Sequence, residues 1–120
     1  MEIFKVFHID AAHRLPNVST GHKCANLHGH SFRIEIHING PVDPQLGWVI
    51  DFADIAKAFQ PLHDQLDHKY LNDIKGLDNP TSENIARWLW QHLLPALPQL
   101  SKIVVQESTE SGCIYKGEEK

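Results

Sequence analysis

Cysteine is scarce in this chain. Only Cys24 and Cys113 occur, far apart and without a CxxC pair, which argues against a disulfide framework and leaves reduced thiols as the expectation. Long apolar runs are missing too: none reaches membrane-spanning length, and Met1-Glu2-Ile3-Phe4-Lys5 does not begin a basic-then-apolar leader. The expected location is cytoplasmic, with no membrane partner. Eleven basic residues against fifteen acidic ones give a net charge of −4, so there is no electrostatic footprint for nucleic acid. The sequence also has no fixed-period repeat, low-complexity tract or internal linker, so residues 1–120 are read as one domain. At 42% hydrophobic and 22% charged, that domain has ordinary globular composition.

What the chain does have is histidine, nine in all. Two of them lie in Cys24-Ala25-Asn26-Leu27-His28-Gly29-His30, where one thiol and two imidazoles fall within seven residues. These are common zinc ligands, and they include the best nucleophile and base near neutral pH. On an extended backbone His28 and His30 point to the same side and can share an ion.

Residues 3–13 are rich in β-branched and aromatic types and read as a first strand ending at His13. A loop follows. Residues 31–39 alternate without a break, with Phe32, Ile34, Ile36 and Ile38 on one face. An unbroken pleat puts His28 and His30 on that apolar face, whereas a bulge near Gly29 reverses them. Asp51 caps a helix whose apolar face is Phe52, Ile55, Phe59, Leu62 and Leu66, with Pro61 expected to kink or loosen it. Residues 67–80 read as a polar connection. Thr81 or Ser82 then caps a second helix with a buried stripe of Ile85, Trp88, Leu89, His92 and Leu93. Lys102–Glu107 and Cys113–Lys116 form a hairpin about Ser111-Gly112, and Cys113 reads as a small buried hydrophobe. The tail Lys116–Lys120 reads as a solvated end. The order is β-β-α-α-β-β, an α+β fold.

A catalytic zinc site uses three protein ligands and keeps one position open, whereas a structural site is closed by four. His13, His28 and His30 make the open version, and adding Cys24 closes it. Spacing alone does not choose between them. Asp67-His68 favours catalysis, since a carboxylate can orient an imidazole that moves protons. Glu107 shares the parity of Ile103 and Val105, so its carboxylate falls on an apolar face, where it needs a dedicated partner such as a ligand with paired N–H donors.

Cys24-x-x-x-His28-Gly-His30, Gly47-Trp-Val-Ile-Asp51-Phe52, Leu66-Asp-His68-Lys, Pro80-Thr-Ser-Glu83-Asn and Glu107 with Tyr115-Lys-Gly117 together resemble the 6-pyruvoyl-tetrahydropterin synthase family, in order and over nearly the whole chain. The resemblance implies that family's tunnelling fold, a four-stranded antiparallel sheet with two helices on one face. It also implies a homo-oligomer, trimers paired into hexamers, with active sites between subunits. The three residues between Cys24 and His28 match the branch that makes 6-carboxy-tetrahydropterin for queuosine and related 7-deazapurines. The pyruvoyl-forming relatives have five. The activity implied is a zinc-dependent carbon-carbon lyase acting on a small pterin, 7,8-dihydroneopterin triphosphate. The alternatives are the pyruvoyl-forming reaction and a non-catalytic zinc-binding protein. By resemblance, His13, His28 and His30 match Zn2+ ligands, Cys24 a proton acceptor, and Asp67 and His68 the relay that works with it. Glu107 matches the anchor of the pterin edge, and Thr81, Ser82 and Glu83 a segment lining the pterin pocket.

Overall fold

The computed structural model describes residues 1–118, so the last two residues of the tail lie outside the described residues. Four strands, β1 (Glu2–His13), β2 (His28–Asn39), β3 (Leu100–Gln106) and β4 (Gly112–Tyr115), form one antiparallel sheet in sequential order. Two helices, α1 (Phe52–Leu66) and α2 (Ser82–Leu93), pack on it, α1 against β1 and α2 against β3 and β4. The order and fold class expected from the sequence are those observed.

Alternation sets the sheet's two faces. Ile9, Phe32, Ile34, Ile36, Ile38, Ile103 and Val105 point to one side and are fully buried with Ile55, Phe59, Leu66, Ile85 and Leu89 from the helices. β1 and β2 pair in unbroken register from Glu2 opposite Asn39 to His13 opposite His28. There is no bulge at Gly29. The HGH segment is therefore part of β2, which begins at His28 rather than after His30, and both histidines share the face of Phe32. The register irregularity falls instead between β2 and β3 at His37 and Ile38, toward the opposite end of β2.

The structure corrects several local expectations. α1 runs continuously through Pro61, and Phe52 at its start is exposed rather than part of the apolar face. The polar connection 67–80 contributes fully buried Leu71 and Leu77, the first on a short 3-10 turn over Leu71–Asp73. Its polar composition hid these two anchors. His92 is exposed and lies flat on Trp88, with its Nδ1 2.7 Å from the Trp88 carbonyl. Cys113 is half-buried, and burial still pushes its thiol pKa up. Gln106 pairs with Gly112, so the turn comprises residues 107–111 and Gly112 already belongs to β4.

Candidate active site

The paired ends of β1 and β2 build the site. His13 and His28 are direct cross-strand partners and His30 lies opposite Ala11, which brings three imidazoles onto one face. Their ring centroids are 4.6 to 5.2 Å apart, and one nitrogen from each lies within 4.8 Å of the others.

Two of the rings are aimed by carbonyl groups. His13 Nδ1 donates to the Pro80 carbonyl at 2.7 Å, and His28 Nδ1 to the Asn26 carbonyl at 2.8 Å. A proton held at Nδ1 leaves Nε2 with its lone pair free, the form a metal requires. His13 Nε2 is buried and has no protein partner. A buried imidazole nitrogen without a partner, facing two others, fits a cation of the zinc type. Burial keeps the pKa of His13 below the ordinary histidine value, as do the charges of His28 and His30, against the raising effect of the Pro80 carbonyl. His30 is lowered by burial and by His28, against an opposing Glu107. Neutral rings are the ligand form. Among the described residues the cluster comprises these three and not the Cys24 thiol.

Glu107 follows the end of β3, half-buried, with Oε2 3.6 Å from His30 Nε2. Its predicted place on the apolar face holds, and the partner found there is an imidazole. A pocket of about 500 Å³ runs from Gly29, His30 and Ser31 to Glu107, Ser108 and Thr109. A second, of about 590 Å³, shares Gly29, His30 and Ser31 and reaches His68 on the other side. His68 and Glu107 thus stand on opposite sides of the β2 start.

The Asp67–His68 pair exists as a contact. Asp67 Oδ2 lies 2.8 Å from His68 Nδ1, while Asp67 Oδ1 accepts from the Asp10 N–H at 2.9 Å. That N–H first, and His68 second, hold the Asp67 carboxyl below its usual pKa range. The His68 N–H donates to the Asp10 carbonyl at 2.6 Å, and Ala12 forms a bridge with Tyr70. The segment is laid along the edge of β1, and His68 takes φ 59, left-handed backbone unusual for a non-glycine residue. Its side chain remains exposed.

Cys24 is carried on a 3-10 turn over Lys23–Ala25, half-buried, with its N–H bonded to His22 Nδ1 at 3.0 Å. Neither Cys24 nor Thr81, Ser82 and Glu83 lines the two pockets beside His30. Thr81 is the N-cap of α2, accepting from the Asn84 N–H at 3.1 Å, and Ser82 is buried with its hydroxyl unpaired. The segment meets the cluster through Pro80. Sequence reading missed Asp10, Ser31 and the Pro80 and Asn26 carbonyls. The carbonyls leave no side-chain signal, and Asp10 holds Asp67 and His68 through its main chain.

A family model described as 6-pyruvoyl tetrahydropterin synthase matches residues 2–118. The chain belongs to that family. It is 40% identical to the 6-carboxy-5,6,7,8-tetrahydropterin synthase of Synechocystis, over 94% of this chain and 91% of that one. It is 37% identical to the dihydroneopterin monophosphate aldolase of Pyrococcus furiosus, over 72% and 75%. Among solved structures, the Caenorhabditis elegans 6-pyruvoyl tetrahydropterin synthase superposes with a TM-score of 0.90 at 29% identity, covering 98% of this chain and 96% of that one.

Proposed function

We propose that this chain is a zinc-dependent carbon-carbon lyase that converts 7,8-dihydroneopterin triphosphate and water to 6-carboxy-5,6,7,8-tetrahydropterin, acetaldehyde and triphosphate, a step toward queuosine and related 7-deazapurines. The observation carrying this reading is the convergence of three imidazoles, two of them aimed by carbonyl groups, beside pockets reaching His68 on one side and Glu107 on the other. The 40% identity to a relative of that name selects the product.

Zinc held by His13, His28 and His30 would supply Lewis-acid polarisation of the substrate's side-chain hydroxyls. The Cys24 Sγ, as thiolate, takes the proton from the side-chain carbon next to the ring. His68 Nε2 then returns or relays protons as the substrate tautomerises. Its Nδ1 is tied to Asp67, which fixes the ring's orientation. Tautomerisation reduces the ring at the expense of the side chain, so no nicotinamide is needed. The Glu107 carboxylate holds the guanidine-like edge of the pterin through paired N–H donors. Thr81, Ser82 and Glu83 line the pterin pocket as it is completed between subunits, in trimers paired into hexamers. A Cys24 thiol outside the histidine cluster supports an open site over a four-ligand structural one.

The test is incubation of the zinc-loaded protein with 7,8-dihydroneopterin triphosphate, with the pterin product identified by mass and acetaldehyde assayed in parallel. Carboxy-tetrahydropterin with matching acetaldehyde is the expected result. A pyruvoyl product keeps the site and overturns the branch. No turnover with zinc bound overturns the lyase.

A further inference from the structure

Beyond the three imidazoles lies the question of what sets the angle of the most buried one. His13 ends β1, and its Nδ1 partner, the Pro80 carbonyl, comes from a segment 67 residues away in sequence. A hydrogen bond between two chain segments holds its geometry only if both are fixed relative to each other. The Ala12 N–H, which donates to the Lys69 carbonyl at 3.0 Å, ties the end of β1 to the connection just before His13, and one side chain carries that tie past His13. Asn72 Oδ1 accepts from the Arg14 N–H at 3.0 Å, and Asn72 Nδ2 donates to the Arg14 carbonyl at 2.9 Å and to the Asp78 carbonyl at 3.4 Å. The amide copies a strand partner for the residue after His13 and at the same time reaches the residue two before Pro80. It brackets the His13–Pro80 bond from both sides.

The carrier of Asn72 is itself anchored. The 3-10 turn that holds it is pinned by fully buried Leu71, and Leu77 pins the far side of the connection. The Pro80 side is held independently: Asn84 Nδ2 donates to the Asn79 carbonyl at 2.8 Å and the Asn84 N–H to Thr81 Oγ1. The main chain on the His13 side is also tied, by the His13–His28 strand pair and by the Leu15 N–H on the Cys24 carbonyl at 2.8 Å, but among the described residues Asn72 is the side chain that joins Arg14 to the segment leading to Pro80.

We infer that Asn72 is a positioning residue of the metal centre, which sets metal affinity by holding His13 Nδ1 on the Pro80 carbonyl and so aiming His13 Nε2 at the other two rings. This rests on the metal-binding reading of the three histidines. Groups that orient a metal-ligating histidine typically change affinity 10–100-fold when lost, and Asn72 acts one bond further out. Its loss is expected to weaken zinc binding by about tenfold or more, with the fold retained.

The experiment compares wild type with Asn72→Ala by zinc titration against a competing chelator. In parallel, NMR of ¹⁵N-histidine-labelled metal-free protein follows the His13 Nδ1–H. The expected result is weaker zinc binding together with loss of the slowly exchanging Nδ1–H resonance, at an unfolding midpoint that leaves the variant folded. Asn72→Asp, nearly isosteric and still able to accept from the Arg14 N–H, is the second variant should alanine prevent folding. It loses both donated bonds and is expected to weaken zinc in the same direction. Unchanged affinity in a variant whose wild type binds zinc overturns the inference, as does an unchanged Nδ1–H resonance. A wild type that binds no zinc sinks the metal reading instead, a separate outcome, while the resonance still tests the bracket.

Discussion

At the residue scale the site is an arrangement of three imidazoles, two of them held toward the neutral form, and its acid sensitivity follows. Burial first, and the neighbouring rings next, hold His13 and His30 below the ordinary histidine value of about 6.5. Between those depressed values and about 6.5, the folded metal-free chain binds fewer protons than the unfolded one, so stability rises with pH across that window. Acidification from about 6.5 therefore removes stability. Zinc at the proposed site would make the dependence steeper, because it requires the same rings unprotonated. Asp67 does not confuse the window: held low by the Asp10 N–H and then by His68, it loses its contribution only below the usual carboxylate range. Urea midpoints from pH 7.5 to 5, with zinc and with chelator, check this, and a chelated midpoint that rises on acidification from pH 6.5 contradicts it. The grouping of His13, His28 and His30 was legible in the sequence, because an HxH pair on a strand puts both rings on one side; which side was not, since a bulge near Gly29 would have reversed it. The carbonyl groups that aim His13 and His28 were not, since a main-chain acceptor has no residue type.

At the element scale, alternation and helical periodicity read the four strands and two helices correctly, and the errors share a cause. Leu71 and Leu77 are isolated apolar residues in a polar stretch, so periodicity cannot find them, yet they seat the connection that meets β1. Phe52 and His92 obey the helical spacing but lie at helix ends, where the sheet no longer covers them. The start of α2 shows how an element end serves the site. Thr81 caps the helix, and the preceding carbonyl orients His13. Thr81→Ala is expected to lower stability by about 1 kcal/mol, the usual cost of a lost N-cap. Thr81→Ser, which keeps the oxygen, should restore most of it. Equal urea midpoints for the alanine variant and wild type would show that the Thr81 cap contributes nothing to stability.

At the scale of the whole molecule, the sheet has one face under the helices and one that no element of the described chain covers. Across that open face run Val6, Glu35, Val104 and Ile114 in one row, with Phe4, His37 and Lys102 in the next. Phe4 is 50% exposed and Ile114 61%. The carboxylates among them already have partners: Glu35 pairs with Arg33 and lies 2.8 Å from His37 Nε2, and Glu2 pairs with Lys102 and lies 3.3 Å from His37 Nδ1. A face whose apolar residues are open and whose charges are mutually matched can be covered without stranding an ion, which a lone charge would forbid. The pocket that His30 shares with His68 opens to solvent, and His68 stands with its ring exposed, so in the proposed assembly a second copy would enclose the substrate. Ile114→Glu places an unmatched carboxylate on the β4 edge of that face. Wild type is expected to sediment as an assembly of three or six copies, and the variant as smaller species with unchanged far-UV circular dichroism, retained zinc and turnover reduced tenfold or more, the range usual for a misassembled site. A wild type that sediments as a monomer while turning over substrate would mean that the open face is solvent-exposed in the working enzyme and that the site is complete in one chain.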